Sequence, residues 1–201
     1  MNFKINSDFT GFKKVFLAQN AVLNLISKNE EKFLWEKHIY DSLSIKLFFE
    51  KYSPKKTTLL DIGTGGGFPA VPVAIECPDI NVCALDSIKK KINAIENIKQ
   101  ELSINNLTTM CDRAENIKDK KFDIITSRAV ATVDKLVKYV SPLLKKEGYF
   151  VAYKSRLADK ELEDAKILMK KSGLKLIDII EYTLPLDEVY ERKLVILQKI
   201  I

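Results

Sequence analysis

The chain has 201 residues, 46% hydrophobic and 30% charged, which suits one α/β domain with a modest extension. No run of about 18 uncharged apolar residues is present, and the N-terminus lacks the apolar stretch of a secretory signal. A membrane-spanning helix is therefore not expected, and the cysteine usage makes a cytoplasmic protein the expectation. The formal net charge of +6 favours a polyanionic partner, although lysine is spread along the whole sequence. Cys77, Cys83 and Cys111 show no metal-ligand spacing and leave one unpaired. They read as reduced, mostly buried thiols, and no metal is expected.

The first 52 residues read as helical. Phe9, Phe12, Phe16 and Leu23 fall on one helix face, and a second helix is expected from Asn29 as N-cap, with Glu30 and Glu31 in its first turn. Ser53-Pro54-Lys55-Lys56 breaks this pattern. Short apolar runs then alternate with helical periodicity, the signature of βαβ units. Strands are expected at 57–62, 80–85, 107–111, 122–127 and 148–153, the last opened by Gly148. Ile88, Ile92, Ile95, Ile98 and Leu102 mark one connecting helix, and Leu136, Val140, Leu143 and Leu144 another. After a helix near 158–172, the runs Leu174–Tyr182 and Arg192–Gln198 are separated only by 183–191 and should pair antiparallel. The expected fold is a Rossmann-like seven-stranded sheet, mostly parallel with an antiparallel last strand. A helical extension (1–54) precedes the sheet domain (55–201).

Asp61-Ile62-Gly63-Thr64-Gly65-Gly66-Gly67-Phe68-Pro69 lies between the first strand and a helix beginning near Pro69. Glycine permits a tight turn and close approach of backbone to a ligand, and ligands of open α/β sheets bind outside the carboxyl ends of the strands. A dinucleotide fingerprint would need Gly or Ala where Phe68 stands. Asp61 instead matches the Asp/Glu-x-Gly-x-Gly-x-Gly pattern of S-adenosylmethionine-dependent methyltransferases, where an acid can face the cofactor's ammonium group. Asp86, ending the second strand, is placed to bond both ribose hydroxyls, a role either cofactor could use.

After the fourth strand the chain reads Ser127-Arg128-Ala129, without the Asn/Asp-Pro-Pro-Tyr/Phe of adenine-amine methyltransferases. None of the three cysteines lies in a loop suited to cytosine-C5 chemistry. What remains is an acceptor that is already nucleophilic, such as a ring nitrogen or a deprotonated oxygen. Such an acceptor needs mainly alignment for in-line displacement. Arg128, at the end of the fourth strand, faces the expected junction of cofactor and substrate, where it could hold the cofactor, a phosphate or only an ion-pair partner.

The ordered set of motifs resembles the bacterial small-subunit ribosomal RNA guanine-N7 methyltransferase family (RsmG/GidB). It comprises Leu23-Asn24-Leu25-Ile26, His38-Ile39-Tyr40-Asp41-Ser42-Leu43, the glycine loop with Gly-Phe-Pro, Asp86-Ser87, Arg113-Ala114-Glu115, Ser127-Arg128-Ala129 and Glu191-Arg192-Lys193-Leu194-Val195. The resemblance implies methyl transfer from S-adenosylmethionine to N7 of a guanine in small-subunit ribosomal RNA, either naked or in an assembled or partly assembled subunit. It implies cofactor contacts at Gly63, Phe68, Ala114, Glu115 and Arg128, to which the glycine loop and the second-strand end add Asp61, Thr64, Gly65, Gly67, Asp86 and Ser87. Ala114 and Glu115 would offer backbone groups to the adenine edge. By the same resemblance His38 joins Arg128 on the substrate side, lining an RNA entrance with Asp41, although a lone histidine on an apolar helix more often packs. Lys89–Lys91 and Lys118, Lys120 and Lys121 could meet phosphates near one edge. Ala70, Lys91 and Ser155 depart from residues frequent in the family. The competing readings are a methyltransferase of a small molecule or protein, and a non-catalytic cofactor-sensing module of ribosome assembly.

Overall fold

In the computed structural model, which describes residues 3–53, 57–155 and 158–201, seven strands form one sheet in the order β3-β2-β1-β4-β5-β7-β6. They are β1 (Thr57–Ile62), β2 (Ile80–Asp86), β3 (Leu107–Cys111), β4 (Phe122–Arg128), β5 (Leu144–Lys154), β6 (Leu174–Thr183) and β7 (Glu191–Lys199). β7 runs antiparallel to both its neighbours, and the pairs among β1–β5 are parallel. The central strands are covered on both faces, which is why they read as near-continuous apolar runs. Alternate residues serve opposite layers: Leu59 packs into one core and Leu60 into the other. The first layer holds α5 (Ala70–Glu76) and α6 (Lys89–Glu101), and the second α7 (Val133–Leu143) and α8 (Ala158–Lys171). The strand order reverses between β1 and β4, and there a crevice opens at the carboxyl ends of the strands.

The N-terminal segment shares the first core. α1 (Thr10–Leu23) turns Phe12 and Phe16 onto Phe68 of the glycine loop, with ring centroids 5.9 and 5.0 Å apart. Its third buried position is Asn20 instead of the expected Leu23, which is only half-buried. The Asn20 amide accepts from Ile26 N at 2.8 Å and donates to Glu31 at 2.7 Å, fixing the turn that follows. The boundary expected between residues 54 and 55 lies outside the described residues.

The second N-terminal helix departs from expectation. A short α2 (Lys28–Glu31) is flanked by Ser27, with Asn29 inside it, and gives way to a π-helical turn at Leu34–Tyr40. Two more short pieces follow, α3 (Asp41–Leu43) and α4 (Ile45–Tyr52). Side-chain donors, one distant and two local, compete with the α-ladder here. Arg128 donates to the Lys37 carbonyl at 2.8 Å, and the Ser42 and Ser44 hydroxyls donate to the carbonyls of His38 and Asp41. Such widened turns recur where a protein must aim particular side chains.

β5 begins at Leu144, ahead of the expected Gly148, because Leu144 already pairs with Phe122 before a bulge shifts the register to Ile124–Tyr149. At Gly148 a Cβ would lie 2.9 Å from two carbonyl oxygens, so the close approach requires glycine. Strand direction also separates the lysines expected at one edge. Lys89–Lys91 open α6 at the glycine-loop edge, whereas Lys120 and Lys121 enter β4 from the opposite edge. Cys111 is exposed at the end of β3, unlike half-buried Cys77 and buried Cys83. No helix among the described residues is long and apolar enough to cross a membrane.

Candidate functional site

The crevice over β1 and β4 is a cleft of about 720 Å³, a size suited to a small-molecule cofactor with room for part of a second reactant. The glycine loop forms its floor: Gly63 and Gly65 take φ of 70° and 59°, left-handed values that disfavour side chains. A Cβ on Gly63 would also meet Val130 at 2.5 Å. Gly66 has a different reason to be glycine. Its missing Cβ leaves room for Leu25 and Phe16, which would stand 3.3 and 3.4 Å away. Part of the loop's glycine content therefore serves packing of the N-terminal segment.

Of the residues singled out from sequence, Gly63, Thr64, Gly65, Phe68, Asp86 and Ser87 line the cleft together. His38 and Arg128 join them from the π-turn and the end of β4. Asp61, Gly67, Ala114 and Glu115 do not line it. Asp61 is fully buried beneath the loop. One of its oxygens accepts from the Thr126 hydroxyl at 2.9 Å; the other, Oδ2, has no partner in full hydrogen-bond geometry, although the Thr64 hydroxyl and the Ala70 N–H lie near enough to favour the charged carboxyl. Burial pushes the Asp61 carboxyl up to about 6. Ala114 and Glu115 form a 3₁₀ turn beyond β3 at the same edge of the sheet. Asp86 secures the loop, accepting from the N–H groups of Gly65 and Ile88, each at 2.9 Å.

Arg128 turns its guanidinium onto the N-terminal segment. It donates to Asp41 at 3.0 Å as well as to the Lys37 carbonyl, approaches His38 Nδ1 at 3.2 Å, and lies over the Phe68 ring. Asp41 is 1% exposed and gathers a second guanidinium, Arg192, through two hydrogen bonds, and the Tyr182 hydroxyl at 2.7 Å. Burial works to raise the Asp41 carboxyl, but Arg192 and Arg128 overcome it and hold the group below the ordinary carboxylate range. One carboxylate against two guanidiniums leaves a positive excess at the cleft wall, where Lys37 and Lys91 also stand. His38 is driven the other way: burial, then Arg128, push its imidazole down to about 4, so it is neutral at physiological pH.

Arg192 stands in the motif Glu191–Val195, where nothing in the sequence marks a role for it. Its only local signal is a lone arginine entering an apolar strand. Lys37, Tyr190 and Leu184 also line the cleft, and nothing in their spacing marks them. Among the described residues no group of three or more His, Cys, Asp or Glu side chains is arranged to hold a metal ion.

The family described as rRNA small subunit methyltransferase G matches residues 5–190. The chain belongs to this family. It is an S-adenosylmethionine-dependent methyltransferase of small-subunit ribosomal RNA. A relative from Lachnoclostridium phytofermentans, named ribosomal RNA small subunit methyltransferase G, is 37% identical over 96% of this chain and 80% of its own. Among solved structures, M. jannaschii TYW2 in complex with AdoMet superposes with TM-score 0.60 at 16% identity, over 79% of this chain and 74% of that one. The [4+2]-cyclase SpnF does so with TM-score 0.62 at 13% identity, over 80% and 81%. A cyclase and a complex with AdoMet on one scaffold show that the fold alone does not name the reaction.

Proposed function

We propose that this member of the family methylates N7 of a guanine in small-subunit ribosomal RNA, working in the cytoplasm. The observation that carries the reading is a cleft whose buried bases are already engaged. The lone-pair nitrogen of His38 faces Arg128, Asp41 is consumed by two guanidiniums and a phenol, and both oxygens of Asp86 receive backbone N–H groups. Glu30, half-exposed at the mouth, takes the Ser27 hydroxyl at 3.4 Å. No cysteine lines the cleft among the described residues. Such a site suits an acceptor with a free lone pair and no proton to lose, and N7 of guanine is one.

The residues fit S-adenosylmethionine. The Gly63–Gly65 backbone and Phe68 would cradle it, Asp86 and Ser87 would meet the ribose, and Ala114 and Glu115 the adenine. The unpartnered oxygen of Asp61 lies beneath the loop and off the cleft wall, and would meet an ammonium group that reaches past the loop. When bound, the cofactor supplies an electrophilic sulfonium methyl. Arg128, reaching from β4 to the π-turn, would tie the cofactor side to a substrate side built by residues 1–54. Those residues form the extension, and 55–201 the methyltransferase domain. Lys37, Lys91 and the uncompensated charge of Arg128 and Arg192 favour the RNA backbone.

The test is transfer of labelled methyl from S-adenosylmethionine to small subunits and to deproteinised RNA from cells lacking the modification, followed by nucleoside analysis. N7-methylguanosine is expected, with transfer weakening as salt rises. Cofactor binding without that nucleoside in either substrate would overturn the proposal. The two arms also decide between naked RNA and a partly or fully assembled subunit.

A further inference from the structure

Guanine and adenine share N7 and differ beside it at position 6, where guanine carries an acceptor oxygen and adenine a donor amine. Choosing guanine therefore calls for a donor next to the attacked nitrogen. Among the described residues, two that line the cleft carry a buried side-chain atom with no hydrogen-bond partner: Thr64 at Oγ1 and His38 at Nε2. The Thr64 hydroxyl can donate or accept and belongs to the glycine loop. His38 has only one polarity open. A guanidinium only donates, so Nδ1, 3.2 Å from Arg128 Nη2, presents its lone pair and Nε2 carries the proton.

The His38 side chain is 8% exposed and packs on Phe68 with ring centroids 5.1 Å apart, so its aim is set. The Glu30 carboxylate stands 3.9 Å from Nε2, beyond hydrogen-bond reach, on a side chain that is 45% exposed and able to swing away. The cleft guanidiniums are turned onto Asp41. We propose that His38 reads the target base, its Nε2–H donating to O6 of the guanine whose N7 is methylated. The inference rests on the N7 reading above.

A donor at O6 leaves the N7 lone pair free. That lone pair forms the new N–C bond as the methyl-to-sulfur bond breaks, and the positive charge passes from sulfur to the base. Burial keeps the imidazole uncharged, so the donor adds no second cation beside the base that becomes one. Adenine would set its amine against the Nε2–H, donor against donor.

The test compares kcat/KM on small-subunit RNA, assembled by ligation and carrying at the mapped target either guanine or 2-aminopurine, which keeps N7 and lacks O6. Wild type is expected to favour guanine by about 10- to 100-fold, the range of one base-reading contact. His38→Phe keeps a ring against Phe68 and is expected to reduce the preference to near unity. His38→Gln, with an acceptor for Arg128 and a donor for O6, should restore part of it. The ratio is internal to each variant, so a smaller folded fraction lowers both rates and leaves it unchanged. A preference retained in His38→Phe overturns the assignment. Absence of N7-methylguanosine from wild-type reactions would instead overturn the reading beneath it.

Discussion

Replacing Asp61 with asparagine tests the most strained electrostatic feature of the chain. The carboxyl is fully buried, with one oxygen on Thr126 and the other unpartnered, and its pKa stands at about 6 against an ordinary 3.8. Because the folded value is the higher, the native state binds the proton more tightly than the unfolded chain does. The stabilisation is fully present below pH 3.8 and is lost as pH rises through about 6. At 1.36 kcal/mol for each tenfold change, the loss amounts to about 3 kcal/mol by pH 7. An amide at this position has no proton to lose. The stability of Asp61→Asn relative to wild type should therefore rise by about 3 kcal/mol between pH 3 and pH 7. This holds whatever fixed penalty the buried amide brings. Urea unfolding at several pH values across that range measures the difference, and calorimetric titration with S-adenosylmethionine measures the functional counterpart. If the unpartnered oxygen of Asp61 receives the cofactor's ammonium group, the variant shows this pH-dependent rise in relative stability and loses cofactor affinity as well. A stability difference that does not change with pH would refute the electrostatic reasoning. Unchanged cofactor affinity would refute the role.

Asp41→Asn should act in the opposite sense, costing about 3–5 kcal/mol at pH 7 because two buried guanidiniums lose their counter-charge. Urea unfolding checks this, and a cost under about 1 kcal/mol would mean that water already screens the cluster. The glycine loop should respond by position. Gly63→Ala, clashing at 2.5 Å with Val130 at a φ of 70°, should abolish cofactor binding in a titration. Gly66→Ala, tight only against Leu25 and Phe16, should cost about 1 kcal/mol of stability and spare affinity. Glu30→Gln should keep turnover within about threefold, whereas loss of a general base would cost about 10²–10⁴-fold. A drop of that size in single-turnover methyl transfer would show that the acceptor must lose a proton.

Much of this protein was legible along the chain. The seven strands stand close to their expected positions because their signal is local: apolar runs bounded by breakers, with a connection between the last two too short for a crossover. The glycine loop carried its meaning in spacing, since left-handed turns at Gly63 and Gly65 restrict residue choice whatever packs around them. Tertiary contacts decided the rest. The π-turn carries the Lys37 carbonyl that Arg128, 91 residues away, takes, and no periodicity within residues 29–52 encodes that partner. Asp41 and Arg192, 151 residues apart, form one ion cluster only because β7 lies beside β5 in the sheet. His38 shows the division most plainly. Its residue type was visible from the start, but its neutrality and its fixed tautomer are properties of the desolvated pocket and of the guanidinium that the fold places against it.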